Sequence, residues 1–243
     1  MKRRTLPIIL CVAFAVVLLA SAVYVNDYYR ALPEALAYLE PDPALGVEVI
    51  EGDGYYLFEP EDPACGLIFY PGGKVEYTAY APLMEQCAEE GILCILLQVP
   101  LNLAIFDIDA AKGMQDLYPD ITKWYLGGHS LGGVCAAMYL AGCSEQYDGL
   151  VLLAAYSPKN LSDTDLDVLS VYGSEDQILN MKKYTNYKEN LPASLREIEI
   201  NGGCHSYFGC YGLQSGDGTP VISNEEQIAK TVACIAGFTA GGV

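Results

Sequence analysis

Short apolar runs alternate with helix-like stretches along most of this chain, and this alternation limits the fold more than any other feature. The runs at 66–70, 92–99 and 149–155 lack the polar alternation of a strand with one face in water. Such strands are typical of a mostly parallel sheet that helices cover on both faces. The sequence therefore predicts an α/β domain whose functional side chains follow the carboxyl ends of strands.

The predicted elements begin with two strands, at 47–50 and 55–58, around a Gly-Asp-Gly hairpin signal. Apolar periodicity and capping signals predict the other strands and helices. The remaining strands are predicted at 66–70, 92–99, 121–126, 149–155, 166–172 and 195–200, and the helices at 78–90, 108–117, 131–141, 177–189 and 224–238.

The first 25 residues have the composition of a membrane anchor or a secretory signal. A basic start at residues 2–4 precedes an uncharged apolar run over residues 6–25. Because that run is longer than a usual signal core, we expect a single-pass anchor over 1–25, with cleavage near residues 20–22 as the alternative. The basic end favours the cytoplasm, so the domain is expected outside it, at the cell membrane or, after cleavage, secreted.

A polar connector is expected over 26–45, followed by one domain over 46–243. The chain has 13 Lys and Arg against 31 Asp and Glu, a net charge of −18. This charge repels phosphate backbones, so nucleic acid is not an expected partner. The nine cysteines show no CxxC pair and no zinc-site spacing, so no metal is expected.

The residues Gly128, Ser130 and Gly132 form a Gly-x-Ser-x-Gly motif between a predicted strand and a predicted helix. In that setting the motif indicates a nucleophile elbow, a sharp turn that exposes the serine hydroxyl. Glycines two residues on either side avoid clashes between the turn and its flanking elements. We therefore predict that Ser130 is a nucleophile.

A serine nucleophile needs a base, and the chain has only two histidines. His129 is expected to pack beneath the turn, whereas His205 follows the last predicted strand and is predicted to be the base. A carboxylate must orient that base. Asp176 follows the preceding strand and is the predicted residue, with Glu175 as the alternative. The order Ser, Asp, His is typical of this type of site.

The oxyanion of an attacked ester needs two amide donors. One is expected at Leu131, directly after the nucleophile. The other is expected in the glycine-containing loop 71–74, at Gly73 or alternatively at Lys74. This chemistry requires neither an organic cofactor nor a metal.

These residues resemble the α/β-hydrolase superfamily, and more narrowly the alpha/beta hydrolase fold-5 family. The matching stretches lie within residues 47–240, and the run Phe-Tyr-Pro-Gly-Gly-Lys that begins at residue 69 is the most particular of them. The resemblance implies a Ser-Asp-His hydrolase, often with an N-terminal membrane segment in bacteria, but it supplies no substrate. Only ten residues separate the strands predicted to end at 155 and to begin at 166, so the fold is expected with a minimal cap or none.

The leading hypothesis is an extracytoplasmic serine esterase that forms an acyl-enzyme on a small-molecule or surface-attached ester. One alternative is a catalytically silent binding domain on the same fold. Another is a membrane lipid hydrolase or acyltransferase, against which the acidic surface and the missing cap argue.

Overall fold

The computed structural model of the 243-residue chain describes residues 5–40 and 46–241. Within these residues, the chain forms six α-helices and one eight-stranded sheet. The helices are α1 (Thr5–Asn26), α2 (Pro33–Leu36), α3 (Ala81–Glu89), α4 (Leu131–Leu140), α5 (Met181–Asn186) and α6 (Asn224–Thr239). The strands are β1 (Val47–Gly52), β2 (Tyr55–Pro60), β3 (Cys65–Tyr70), β4 (Ile92–Leu97), β5 (Trp124–His129), β6 (Gly149–Leu153), β7 (Asp167–Gly173) and β8 (Arg196–Ile200).

The sheet is mostly parallel, in the order β1-β2-β4-β3-β5-β6-β7-β8. β1 and β2 form an antiparallel hairpin, and β2 also runs antiparallel to β4. Every other neighbouring pair is parallel. The predicted fold class is therefore confirmed, and the carboxyl ends of the parallel strands share one edge.

Helices cover both faces of the sheet. Along β3, Leu67 and Phe69 belong to one core cluster and Ile68 belongs to the other, as the two-residue period of a strand requires. The first cluster includes Leu83 of α3 and residues of α6, whereas the second includes Ala136 of α4. The central strands β3 to β6 are buried along their whole length, which explains their largely apolar sequences.

The edge strands depart from that pattern because each has a neighbour on one side only. β1 exposes three of its six residues, and β8 exposes three of its five, including Glu197 and Glu199. Other local differences concern the helices. The helix predicted at 108–117 is two short 3₁₀ turns, Ile108–Ala111 and Met114–Leu117, separated at Gly113 by a positive φ of 78°.

The chain has no inserted cap between β6 and β7. Residues 154–166 join these strands without any helix, and all of them are described. Between β6 and β7, the carboxyl edge of the sheet is therefore bounded by a loop rather than by a helical cap.

The helix α1 lies outside the core. Its window Ile9–Asn26 has a mean hydropathy of 2.4 with no part buried, so it is long and apolar enough to cross a membrane. Part of the connector expected over 26–45 packs on the domain: Tyr29 forms a parallel bridge with Val75, and Ala35 is fully buried. Residues 41–45 of that connector lie outside the described residues.

Candidate active site

Ser130 lies at the turn between β5 and α4, with φ 51° and ψ −119°. This conformation is rare for a residue with a side chain, and its strain is typical of functional turns. A Cβ on Gly128 would overlap the backbone of Gly132, and a Cβ on Gly132 would overlap the carbonyl groups of Tyr70 and Pro71. Both glycines of the motif are thus required by the close packing of the turn.

His205 and Asp176 form a buried pair at the carboxyl edge of the sheet. Nδ1 of His205 lies 2.8 Å from Oδ2 of Asp176, and their side chains are 2% and 1% exposed. Oδ1 of Asp176 accepts the amides of Ile178 at 2.9 Å and Leu179 at 2.8 Å. An ionised Asp176 accepts the Nδ1–H of His205, which leaves Nε2 of the imidazole as its basic nitrogen.

Ser130 and His205 line the same cavity, which has a volume of about 230 Å³. Asp176 lies behind His205 and holds it from the protein side. Glu175, the alternative carboxylate, instead accepts a hydrogen bond from the hydroxyl of Ser174 at 3.0 Å. The remaining walls come from the start of α4, the loop after β6 and the turn after Asp176: Leu131, Val134, Ala154, Ala155, Tyr156, Ile178, Leu179 and Asn180.

The two expected oxyanion donors lie side by side. A Cβ added to Gly73 would come within 2.9 Å of Cδ2 and 3.2 Å of Cβ of Leu131. The amide of Gly72 donates to Tyr80 Oη at 3.0 Å, and the amide of Lys74 donates to the Asn102 carbonyl at 2.7 Å. Within the described residues, the amides of Gly73 and Leu131 have no acceptor. The geometry therefore favours Gly73 over Lys74 as the donor.

His129 packs beneath the elbow, next to the paired histidine. Its Nδ1 lies 2.8 Å from the hydroxyl of Tyr80, which also accepts the Gly72 amide, and its ring centroid lies 4.6 Å from that of His205. Complete burial, reinforced by the neighbouring His205, lowers the pKa of His129 well below its usual value. His129 is therefore neutral near pH 7, and it connects the elbow to the loop that carries Gly73.

Asp217 is a further charged residue of the site, which the sequence analysis missed. It accepts the Ser206 amide at 2.8 Å and the Ser206 hydroxyl at 2.6 Å, and it accepts the amides of Gly218 at 2.8 Å and His205 at 3.3 Å. Burial by itself would raise the pKa of Asp217, but these hydrogen bonds outweigh it and lower the pKa. The only sequence signal for Asp217 was its place in the loop that follows His205.

The described residues contain no candidate metal site. In residues 5–40 and 46–241, no three His, Cys, Asp or Glu side chains cluster closely enough to hold a metal ion. The chemistry that the site can perform rests on Ser130, His205, Asp176 and the two free amides.

Comparisons with known proteins support the same family. The family model described as "Alpha/beta hydrolase family" matches residues 66–229, more than half of the chain. No curated protein matches the sequence closely enough to count as a relative.

Solved structures at low identity share the fold. A predicted CIB-like hydrolase from Thermoplasma acidophilum is 15% identical with a TM-score of 0.56, and the match covers 79% of this chain and 97% of that one. Est1E from Butyrivibrio proteoclasticus is 14% identical with a TM-score of 0.55, covering 81% and 99%. A dienelactone hydrolase from Anabaena variabilis is 14% identical with a TM-score of 0.60, covering 82% and 99%.

Proposed function

Because this chain belongs to the alpha/beta hydrolase family, we propose that it is a serine hydrolase that cleaves carboxylic esters outside the cytoplasm. The observation that carries the proposal is the buried pair of His205 and Asp176, in which His205 lines the same cavity as the strained Ser130. A hydroxyl at a sharp turn, a base and an orienting carboxylate are the parts that nucleophilic acyl transfer requires.

In the proposed mechanism, Nε2 of His205 takes the Ser130 proton while Oγ attacks the ester carbonyl carbon. The amides of Gly73 and Leu131 donate hydrogen bonds to the oxyanion that forms. The imidazolium then gives its proton to the leaving alcohol, and an acyl group remains on Ser130. Asp176 stays ionised and stabilises the imidazolium.

Water completes the cycle. His205 takes a proton from a water molecule, which attacks the acyl carbonyl, and then returns a proton to Ser130 Oγ as the carboxylic acid leaves. The net reaction converts one ester and one water into one acid and one alcohol. No metal or organic cofactor enters the proposed reaction.

The open approach to the site supports a small ester, or an ester that projects from a larger molecule. Residues 154–166 place no helix over the cavity, so a deep enclosed tunnel is disfavoured. The proposed location rests on α1, whose composition suits a single-pass anchor of the cell membrane, and on the basic residues 2–4 before it. Cleavage of this segment would instead release a secreted enzyme.

Hydrolysis of p-nitrophenyl esters of increasing acyl length tests the proposal. The full chain should hydrolyse the short esters, and Ser130→Ala should abolish the activity. Ser144→Ala is the matched control, because Ser144 begins a 3₁₀ turn after α4 and does not line the cavity. A correctly folded parent without any ester hydrolysis would favour the alternative of a catalytically silent binding domain.

A further inference from the structure

The end of α1 is fixed to the loop that carries Gly73. Nζ of Lys74 lies 3.1 Å from Oδ2 of Asp27 and 4.3 Å from the ring centroid of Tyr24, a residue of α1. The amide of Tyr29 also donates to the carbonyl of Lys74 at 2.8 Å. The residue after Gly73 thus touches the last turn of the helix that is able to cross a membrane.

The same short segment is also fixed to the loop that carries His205. The hydroxyl of Tyr29 accepts the Ser215 amide at 3.0 Å, and the rings of Tyr29 and Tyr211 lie 5.7 Å apart. The amide of Leu32 donates to the Cys210 carbonyl at 3.0 Å. Of the two loops that bound the proposed active site, one is therefore tied to the last turn of α1 and the other to residues 29–32 just after it.

Four large apolar side chains project into solvent from loops beyond this edge of the sheet. We call them the entry rim: Leu101, Ile105, Phe106 and Leu213, which are 50%, 43%, 62% and 51% exposed. The rim adjoins the fixed loops: Asn102, which follows Leu101, accepts the Lys74 amide, and Gln214, which follows Leu213, donates to Ser206. Exposed apolar side chains on loops beside a site point to a contact with an apolar partner.

We propose that the entry rim rests on the bilayer that holds α1, and that the substrate is an ester carried by an amphiphile in that bilayer. The proposal rests on the proposed function and on α1 as an anchor. Only residues 27 and 28 separate Asn26 from Tyr29, and such a link reaches about 10 Å when extended. The domain therefore stays at the membrane surface, with the rim on the side of the anchor.

The charge of the chain specifies which bilayer suits this contact. A net charge of −18 repels anionic headgroups, but it does not oppose the insertion of uncharged side chains into a zwitterionic surface. The expected surface is therefore a phosphatidylcholine-like one rather than an anionic one. The acidity that argued against a lipid substrate thus argues only against anionic lipids.

Fluorescence quenching tests the rim contact without any enzymatic readout. Phe106→Trp and Leu213→Trp are placed in the full chain and reconstituted in phosphatidylcholine bilayers with and without brominated acyl chains. Leu117→Trp is the control, since Leu117 is 47% exposed but lies in a turn linked to residue 146 between α4 and β6, away from the carboxyl edge. The natural Trp124 is 4% exposed, so the parent supplies the baseline.

We expect brominated bilayers to quench the fluorescence of the introduced Trp in both rim variants, but not in Leu117→Trp. Equal fluorescence with and without bromine in both rim variants would overturn the proposal. Circular dichroism of each variant shows that it is folded, and two rim positions guard against local misfolding. Because quenching needs no turnover, its failure is distinct from a failure of the proposed hydrolase chemistry.

A rate ratio tests the substrate class. The full chain in phosphatidylcholine vesicles is given 4-methylumbelliferyl oleate in the bilayer and, separately, p-nitrophenyl butyrate in solution. Since burying one large apolar side chain is worth about a tenfold change in an equilibrium, Phe106→Ser should lower the oleate-to-butyrate ratio by about tenfold. Leu117→Ser should leave the ratio unchanged. An unchanged ratio in Phe106→Ser, with butyrate still hydrolysed, would overturn the substrate class while leaving the hydrolase proposal intact.

Discussion

Asp217 accepts two hydrogen bonds from Ser206, the residue that follows His205, through the amide at 2.8 Å and the hydroxyl at 2.6 Å. It also accepts the His205 amide at 3.3 Å and the Gln177 amide at 3.4 Å, next to Asp176. The Asp217 carboxylate thus links the backbone of His205, the proposed base, to the backbone next to Asp176, which orients that base. Asp217 does not pair with the imidazole itself, so we regard it as a positioning residue.

Replacing Asp217 by Asn should lower kcat by about ten- to a hundredfold, because loosening of the His205 loop misplaces the base. KM for a short ester should change little, since Asp217 does not line the cavity. The control is Asp163→Asn, at an exposed position before β7. A kcat equal to that of the control, in a variant that carries its full complement of secondary structure, would contradict the positioning role.

Replacing each of the two neighbouring carboxylates by its amide tests whether Asp176 or Glu175 orients His205. Asp176→Asn should lower kcat by about three to four orders of magnitude, because an amide does not stabilise the imidazolium. Glu175→Gln should remain within about threefold of the parent, because Glu175 pairs with Ser174 rather than with His205. Steady-state kinetics on a short ester provides the measurement, and a larger loss in Glu175→Gln would reverse the assignment.

A methyl group at Gly73 should disturb the oxyanion donors. The added Cβ would lie 2.9 Å from Leu131 Cδ2, so one or both amides must shift, and kcat should fall by about ten- to a thousandfold. Gly237→Ala is the control, since its Cβ would meet nothing within 4 Å in α6. Gly237→Ala should leave kcat unchanged and should raise the free energy of unfolding by about 0.5–1 kcal/mol. Parental kcat in Gly73→Ala would argue against the proposed oxyanion site.

The buried His129 gives stability a defined dependence on pH. Its pKa in the folded chain is below the ordinary value of 6.5, so the unfolded chain binds the extra proton first as the pH falls. The stabilisation is complete above pH 6.5 and is lost as the pH falls toward the folded pKa. From pH 6.5 to 5.5, this residue should remove about 1 kcal/mol from the free energy of unfolding.

Urea denaturation at these two pH values measures that change. In His129→Asn, whose side chain does not titrate, the loss between pH 6.5 and 5.5 should be smaller than in the parent by the same amount. An identical loss in both proteins would show that His129 does not titrate as its burial requires.

The sequence alone predicted the fold class because the central strands are buried on both faces and are therefore largely apolar. It also predicted Ser130 as the nucleophile, because the motif places glycine at positions 128 and 132, where the close packing of the turn leaves no room for a side chain. Asp176 and His205 were chosen by their places after strands, and the structure brings them within 2.8 Å of each other.

The remaining features depend on loop conformations and on contacts that local sequence patterns do not reveal. Asp217 is twelve residues from His205, and only the folding of the intervening loop brings its carboxylate onto the His205 amide. The packing of Tyr29 on Val75 and Tyr211 is equally invisible in a stretch that reads as a polar connector. At 108–117, apolar periodicity favoured a helix, but Gly113 divides the segment into two turns.

Reaction of the full chain with a fluorophosphonate, followed by mass spectrometry of the modified peptide, tests directly whether Ser130 is an activated nucleophile. We expect a single adduct on Ser130, which is lost in Ser130→Ala and retained in Ser144→Ala. A folded parent that forms no adduct, or an adduct on a different residue, would contradict an activated nucleophile at Ser130.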